Sequence, residues 1–227
     1  MKGAISGNVD IEGNMKSLKS GLALKGDRLG FKDIAIGNLR INAASDPSGI
    51  IRISELNLEN QGSVIDGSGS VQVFQKNSFA VNSAFPMDLS LSLRNVEVKD
   101  FIKKVTAGGT VAGKIDVKGD INNLNAALDL DAKKLAIPKV IQADAVSLTA
   151  DIKGNVKTPT GSATLYGKNL DLGVQKLTGI RLNAKMDGKV IHLNPLRVEV
   201  APGKMVKATG WVSPLDKSYQ VDLTSEG

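Results

Sequence analysis

The stretch Gly109-Thr-Val-Ala-Gly-Lys-Ile-Asp-Val-Lys-Gly119 determines how the rest of the chain is interpreted. Val111, Ile115 and Val117 stand at one parity, and polar residues stand between them. Strict alternation of this kind places the apolar side chains on one face of a β-strand. Gly119 marks a turn or a bulge, after which the apolar residues of a neighbouring strand begin. The stretch therefore predicts a strand with one apolar face.

The chain carries this pattern twice, because an earlier copy begins at Gly3 and ends at Leu24. Between the identical positions, aliphatic residues replace one another at the same parity. The identical positions are Gly3, Gly7, Asp10, Gly13, Leu18, Leu22 and Leu24 in the first copy and Gly109, Gly113, Asp116, Gly119, Leu124, Leu128 and Leu130 in the second. Long strands in repeated hairpins are therefore expected.

A second correspondence follows with a different spacing. Ile51, Ile53, Leu56, Leu58 and Glu59 match Ile191, Leu193, Leu196, Val198 and Glu199, and one residue of slip later Gly69-Ser-Val71 matches Gly210-Trp-Val212. Since the offset grows between the two matches, extra strands are predicted in the second half, around residues 156–174. A repeat with a variable number of one-faced strands favours an open, extendable sheet over a closed barrel.

These patterns predict an all-β fold, an elongated, mostly antiparallel sheet of repeating hairpins. The first repeat unit is expected at residues 1–107 and the second at 108–227, within one continuous body. Residues 100–105 depart from the alternation, and their spacing predicts one or two helical turns capped by Asp100. Both ends of the sequence look cut, so we expect an excerpt of a longer protein.

Composition excludes several classes of site. The chain has no cysteine and one histidine, which argues against most metal centres, thiol nucleophiles and disulfide frameworks. His192, Asp10, Asp116, Asp129 and Asp131 all stand at the polar parity of predicted strands and have no partner for acid–base chemistry. We therefore expect surface residues here, and neither an enzyme nor a cofactor or metal site.

The formal net charge of +6 leaves two interpretations open. Scattered lysines are typical of a solvated face that protects sheet edges from aggregation. Alternatively, they attract anionic lipid head groups or another acidic partner. No basic run is interleaved with stacking aromatic residues, so nucleic acid is not expected as a partner.

Four glycines fall on the apolar parity, and they also allow two interpretations. Gly7, Gly13, Gly113 and Gly119 permit bulges and twist in the strands, or they leave room beside the sheet for an apolar ligand.

The sequence resembles the repeats of the TamB and AsmA-like family. The resemblance lies in the run from Gly109 to Ile121 with Leu-Asn-Ala-Ala-Leu-Asp-Leu130 after it, and in the later run from Val198 to Gly210 with Trp-Val-Ser-Pro-Leu-Asp216 after it. Members are similar to long periplasmic bridges anchored in the inner membrane of Gram-negative bacteria. Their sheet is curled into a taco-like groove with an apolar interior. The N-terminal membrane anchor of the family has no counterpart in this sequence.

The resemblance implies a non-catalytic segment that shields phospholipid acyl chains in a hydrophobic groove on their way to the outer membrane. The alternative it implies is a periplasmic assembly factor for outer-membrane β-barrel proteins, working with a TamA-like barrel of the Omp85 type. The expected groove lining is Val9, Ile11, Leu22, Leu24, Leu89, Leu91, Ile115, Val117, Leu128, Leu130, Val146 and Leu148.

Two other functions are alternatives to lipid transport. In one, the groove takes unfolded strands of client proteins through its edges. In the other, the chain is a polysaccharide-acting solenoid enzyme. The enzyme would need clustered carboxylates on one strand face, and the sequence shows no such cluster.

Overall fold

The structure is a computed structural model that describes residues 2–14, 19–31, 34–76, 78, 80–100, 107–138 and 140–226. Alternating sequence and frequent glycine turns produce long strands joined by short connections. The strands are β1 (Lys2–Glu12), β2 (Lys19–Phe31), β3 (Ile34–Ser45), β4 (Ile50–Asn60), β5 (Ser63–Gln72), β6 (Met87–Glu97), β7 (Gly108–Gly119), β8 (Leu124–Ile137), β9 (Ile141–Asn155), β10 (Thr158–Asp171), β11 (Lys176–Asp187), β12 (Val190–Ala201), β13 (Lys204–Ser213) and β14 (Ser218–Glu226).

The strands form one antiparallel sheet in which the spatial order follows the chain order from β1 to β14. Each strand from β2 to β13 therefore pairs with the strand before it and the strand after it, and the sheet does not close into a barrel. The prediction of an all-β, antiparallel, repetitive sheet is confirmed. A single 3-10 turn, Val98–Asp100, follows β6. The helix predicted at residues 100–105 falls mainly on residues 101–106, which lie outside the described residues.

The chain forms two compact units. The first comprises Met1–Val96 and Lys114–Asn122, and the second comprises Glu97–Gly113 and Asn123–Gly227. The boundary proposed between residues 107 and 108 stays a prediction.

The structure also accounts for the growing repeat offset. The first correspondence matches β1 to β7, and the second matches β4 to β12, so the second half contains two more strands than the first. One complete strand, β10, lies in the interval predicted to hold the extra strands; the other lies beside it, outside that interval.

The one-residue slip within the second correspondence has a local cause. Glu59 and Asn60 pair with successive residues of β5, Val64 and Ser63. In β12 the register is interrupted after Glu199, so that Val200 is an extra residue. A bulge inserts one residue into one strand of an antiparallel pair. The slip in the sequence is therefore this bulge.

Candidate functional site: the apolar face of the sheet

In the first unit, apolar side chains form continuous rows across six strands. Residues directly opposite each other in an antiparallel pair present their side chains on the same face. The registers of β1 to β6 therefore assemble a row of Val9, Leu22, Ala43, Ile53, Gly69 and Leu89, a row of Gly7, Leu24, Ile41, Leu56, Gly67 and Leu91, and a row of Ile5, Gly26, Leu39, Leu58, Ile65 and Leu93. We call this set of rows the apolar face of the first unit.

The second unit has an equivalent apolar face across seven strands. The registers of β8 to β14 assemble a row of Leu130, Leu148, Leu165, Leu182, Leu196, Ala208 and Leu223, and a row of Leu128, Ala150, Ala163, Ala184, Leu193, Gly210 and Val221. A third row begins with Ala132, Val146, Gly167, Ile180 and Val198. The interruptions in the register do not break the rows, because apolar residues resume on the same face after each one.

The strand register assigns ten of the twelve predicted lining residues to these faces. Val9, Leu22 and Leu89 share one row, Leu24 and Leu91 share the next, and Ile11 lies one position further along the same face of β1. The remaining four in the second unit are Leu128, Leu130, Val146 and Leu148. Ile115 and Val117 alternate with exposed residues along β7, and both are half-buried. The residues missed by the prediction, such as Ile41, Leu56 and Leu182, carried the same alternation.

The apolar faces are only partly shielded from solvent. Val9 is 63% exposed and Ile11 is 66% exposed, and the other ten predicted lining residues are half-buried. No side chain in the described part of the chain combines large size with less than 2% exposure. A sheet whose aliphatic rows remain accessible to this extent has a surface on which further apolar material can bind.

One part of the second unit is packed more tightly. Ala143, Leu170 and Leu177 are each exposed by 7% or less, and Val146 and Ile180 pack against them. Val146 therefore contacts a small buried cluster as well as belonging to the apolar face.

Backbone geometry explains the glycines at Gly7 and Gly113. A Cβ atom added to Gly113 would stand 2.0 Å from the Asp129 carbonyl oxygen, and one added to Gly7 would stand 2.5 Å from that of Ala23. Only glycine permits so close an approach of the neighbouring strand. Gly13 and Gly119 have positive φ angles of 109° and 107°, which favour glycine. The close approach and the turns support the first of the two interpretations, bulges and twist.

The opposite face of the sheet is polar. Asp10, Asp116, Asp129 and Asp131 are exposed, as expected for a solvated face, and Ser147 Oγ donates a 2.6 Å hydrogen bond to Asp131. His192 is half-buried between Lys185 and Trp211, its cross-strand neighbours.

Two carboxylates of the first unit are held in the charged form. Asp66 accepts hydrogen bonds from Asn57 Nδ2 at 2.8 Å and from Arg94 Nη2 at 2.6 Å, which lower its pKa. Asp46 accepts hydrogen bonds from Ser48 and from the Arg52 guanidinium, which lower its pKa to about 2. Asp46 connects the turn after β3 to β4, and Asp66 connects β5 to β4 and β6.

No protein-family model matches this sequence, and no curated protein or solved structure matches it either. Among the described residues, no helix has the length and apolar character needed to span a membrane. The same residues contain no group of three or more histidine, aspartate or glutamate side chains placed to hold a metal ion. The chemistry of the site therefore rests on the apolar faces and on the polar face opposite them.

Proposed function

We propose that this chain is a non-catalytic segment of an inter-membrane bridge that holds phospholipid acyl chains against its apolar faces. The observation that carries the proposal is the continuity of the aliphatic rows, which cross six strands in the first unit and seven in the second while staying accessible. Acyl chains need apolar contact and no fixed polar partner. Transfer along such a face requires no catalytic residue.

The scarcity of aromatic residues supports this function. Aromatic residues are 4% of the chain, and the single tryptophan, Trp211, lies on the polar face. Aromatic rings impose specific stacking geometries on what they contact. Leucine, valine and isoleucine rows offer the nondirectional contact along which a fluid chain slides. The resemblance to TamB and AsmA-like repeats supports the proposal of a bridge in the periplasm of a Gram-negative bacterium.

The first experiment is mass spectrometry of a solvent extract of the purified protein, in which co-purified phospholipid is expected. The variant is Leu91→Arg, which puts a charge into one of the apolar rows, and the matched control is Ser90→Arg on the opposite face of the same strand. Leu91→Arg should lose most of the bound phospholipid, and Ser90→Arg should keep it. Equal phospholipid content in the two variants would exclude the apolar face from lipid binding.

A second variant tests whether the apolar face is accessible to water. In a sealed core, Val117→Asp would bury an unpaired carboxylate at a cost of several kcal/mol. On an accessible face the change costs about 1.5–3 kcal/mol, the lost burial of one aliphatic side chain. We expect a folded variant with a lowered melting temperature and reduced lipid content. Complete loss of folding would indicate a closed core.

One alternative is a chaperone for unfolded β-strands, which would pair with an exposed strand edge. In the described strand order β1 has one neighbour, β2, and every residue of Lys2–Glu12 is exposed. An unpaired strand edge can accept an added strand. Delipidated protein that binds labelled strands of outer-membrane proteins far more tightly than phospholipid would favour this alternative.

A further inference from the structure

Three cationic side chains stand in a row on the polar face of the second unit. Arg181 of β11 lies directly opposite Arg197 of β12, which lies directly opposite Lys207 of β13. Neighbouring strands are about 4.8 Å apart, so these side chains leave the sheet close together. Like charges directly opposite each other in a sheet are destabilising. Arg181 and Arg197 therefore repel each other in the absence of a bound anion.

A recess and an aromatic ring accompany the row. Tyr166 lies directly opposite Arg181 on β10, and the Arg181 guanidinium carbon is 5.9 Å from the centre of the tyrosine ring. This cation–π contact fixes the guanidinium against the ring while its N–H groups remain available. A recess of about 360 Å³ opens beside these residues, lined also by Lys168, Arg197 and Glu199.

The positive charge of the recess exceeds what its own carboxylate balances. Three of its lining residues are cationic (Lys168, Arg181 and Arg197) and Glu199 is the one carboxylate, which gives a formal charge of +2. Within the part of the chain that the structure describes, neither arginine forms an ion pair with a carboxylate. The Glu199 carboxylate lies over Gly179, its opposite residue.

The equivalent row of the first unit contains a carboxylate, Asp66, as well as the cations Lys25 and Arg40. The repeat aligns Asn57 with Arg197 and Asp66 with Lys207, and Arg40 stands opposite Asn57 as Arg181 stands opposite Arg197. Asn57 donates a hydrogen bond to Asp66, which also binds Arg94. The same backbone positions thus carry the hydrogen-bonded Asn57 and Asp66 in the first unit and the cations Arg197 and Lys207 in the second.

We propose that β10 to β13 form a binding site for a phosphate-type oxyanion on the polar face of the second unit. Arg181 and Arg197 present planar guanidinium forks that match phosphate oxygens with two parallel hydrogen bonds, and Lys207 adds a third positive charge. The site lies on the face opposite the apolar rows, so it is independent of the proposed acyl-chain binding. The phosphoryl group belongs to a small phosphate compound or to a lipid head group, which share this chemistry.

The test is an isothermal titration with inorganic phosphate at constant ionic strength. The wild-type chain should bind phosphate saturably, and Arg181→Gln combined with Arg197→Gln should weaken binding at least about tenfold. The matched control is Lys133→Gln combined with Lys153→Gln, which removes the same charge from exposed positions of the same unit; it should change the affinity by less than about twofold.

A second pair of measurements addresses geometry and ligand source. Arg181→Lys with Arg197→Lys keeps the charge and removes the forks, so an affinity between those of the wild type and the glutamine variant is expected. Vesicles of phosphatidylglycerol in phosphatidylcholine distinguish the sources: arginine-dependent sedimentation with them indicates a lipid head group, whereas phosphate binding without sedimentation indicates a small phosphate compound. Circular dichroism verifies that each variant is folded. The proposal is wrong if the wild type shows no saturation by about 10 mM phosphate or if the lysine control loses as much affinity as the arginine variant.

Discussion

Strands β3 to β5 and strands β11 to β13 pair with equivalent registers. They differ in the charge of their polar side chains. In both, the register between the second and third strands is interrupted at the same place, after Ile53 in the first set and after Leu193 in the second. In both, a glycine faces that residue, Gly69 or Gly210. Yet the polar residues Asn57 and Asp66 are replaced by Arg197 and Lys207, which changes the formal charge of this pair from −1 to +2.

The comparison shows that the two faces of the sheet vary independently. The apolar residues and the bulge must be kept together, because a one-residue slip would move every apolar side chain of a strand to the other face. Polar side chains on the opposite face are free of that constraint. The repeat therefore preserves one surface, for which we propose acyl-chain binding, and leaves the other available for local binding sites.

The largest expected effect tests the shared backbone. A Cβ at Gly69 would meet the Asp88 carbonyl oxygen at 2.1 Å, and one at Gly210 would meet that of Gln220 at 2.0 Å. We expect Gly69→Ala and Gly210→Ala each to lower the free energy of unfolding by about 2–4 kcal/mol, because strain and a backbone clash combine. Urea unfolding of each variant measures the loss.

The control for this prediction uses the turn glycines of the same hairpins. Gly62 and Gly203 have positive φ angles of 94° and 76°, but an added Cβ would meet nothing within 4 Å at either. Alanine there should cost only the backbone strain, about 1 kcal/mol. A difference of more than about 1 kcal/mol between Gly69→Ala and Gly210→Ala would contradict the equivalence of the two backbones.

Acid should weaken the first set of strands before the second. Hydrogen bonds in the folded chain hold the pKa of Asp46 near 2, below its ordinary value of 3.8, and they also lower the pKa of Asp66. A lowered folded-state pKa contributes stability above the unfolded value, and this stability is lost as the pH falls through the folded value. After allowance for solvent screening, we expect the contribution of Asp46 to the free energy of unfolding to fall by about 1 kcal/mol between pH 5 and pH 2.

Hydrogen exchange as a function of pH localises this effect. Amides of β4 and β5 should lose relative protection below about pH 4, whereas those of β12 and β13, where Lys207 replaces the aspartate, should not. Asp46→Asn should remove part of the pH dependence, and Asp129→Asn, at an exposed position without an ion pair among the described residues, should leave it unchanged. If both sets of strands lost protection at the same pH, the hydrogen bonds of Asp46 and Asp66 could not be the cause of the acid sensitivity.

The smallest expected effect comes from exchanging the charges. Arg197→Asn should raise the free energy of unfolding by about 0.5–1 kcal/mol at low salt, because it relieves repulsion between Arg197 and Arg181 across the strands. Asn57→Arg with Asp66→Lys in the first unit should lower it by at least as much, because the hydrogen bonds to Asp66 are lost, and should confer phosphate-dependent stabilisation. Thermal melting at low and high salt measures both, and the differences should shrink as salt screens the charges. Unchanged stability of the first variant at low salt would show that the row is not repulsive.

Much of this fold could be predicted from alternation alone. Leu89 and Leu91, which the sequence predicts in one apolar lining, lie opposite Gly69 and Gly67 on the apolar face. The change in repeat offset also indicates the extra hairpin, because two matches with different spacing require an insertion between them. Period-two patterns are informative wherever one face of a strand is apolar and the other polar.

The phosphate site could not be predicted in this way. Arg181, Arg197 and Lys207 come from three strands, and their alignment depends on register interruptions after Leu182, Leu193 and Glu199. Each interruption decides which residues stand opposite one another. The sequence contained a signal for one of these bulges, the change of offset between Glu199 and Gly210, but its position became clear only with the strand pairing.

The even number of inserted strands has a consequence for how such a protein changes size. Insertion of one strand would reverse the direction of everything after it, whereas insertion of a hairpin restores both the direction and the face of the next strand. Each hairpin widens a sheet by about 10 Å across its strands. In the bridge that we propose, the distance covered is thus a discrete quantity, which gene duplication can adjust in steps of one hairpin to match the gap between two cellular surfaces.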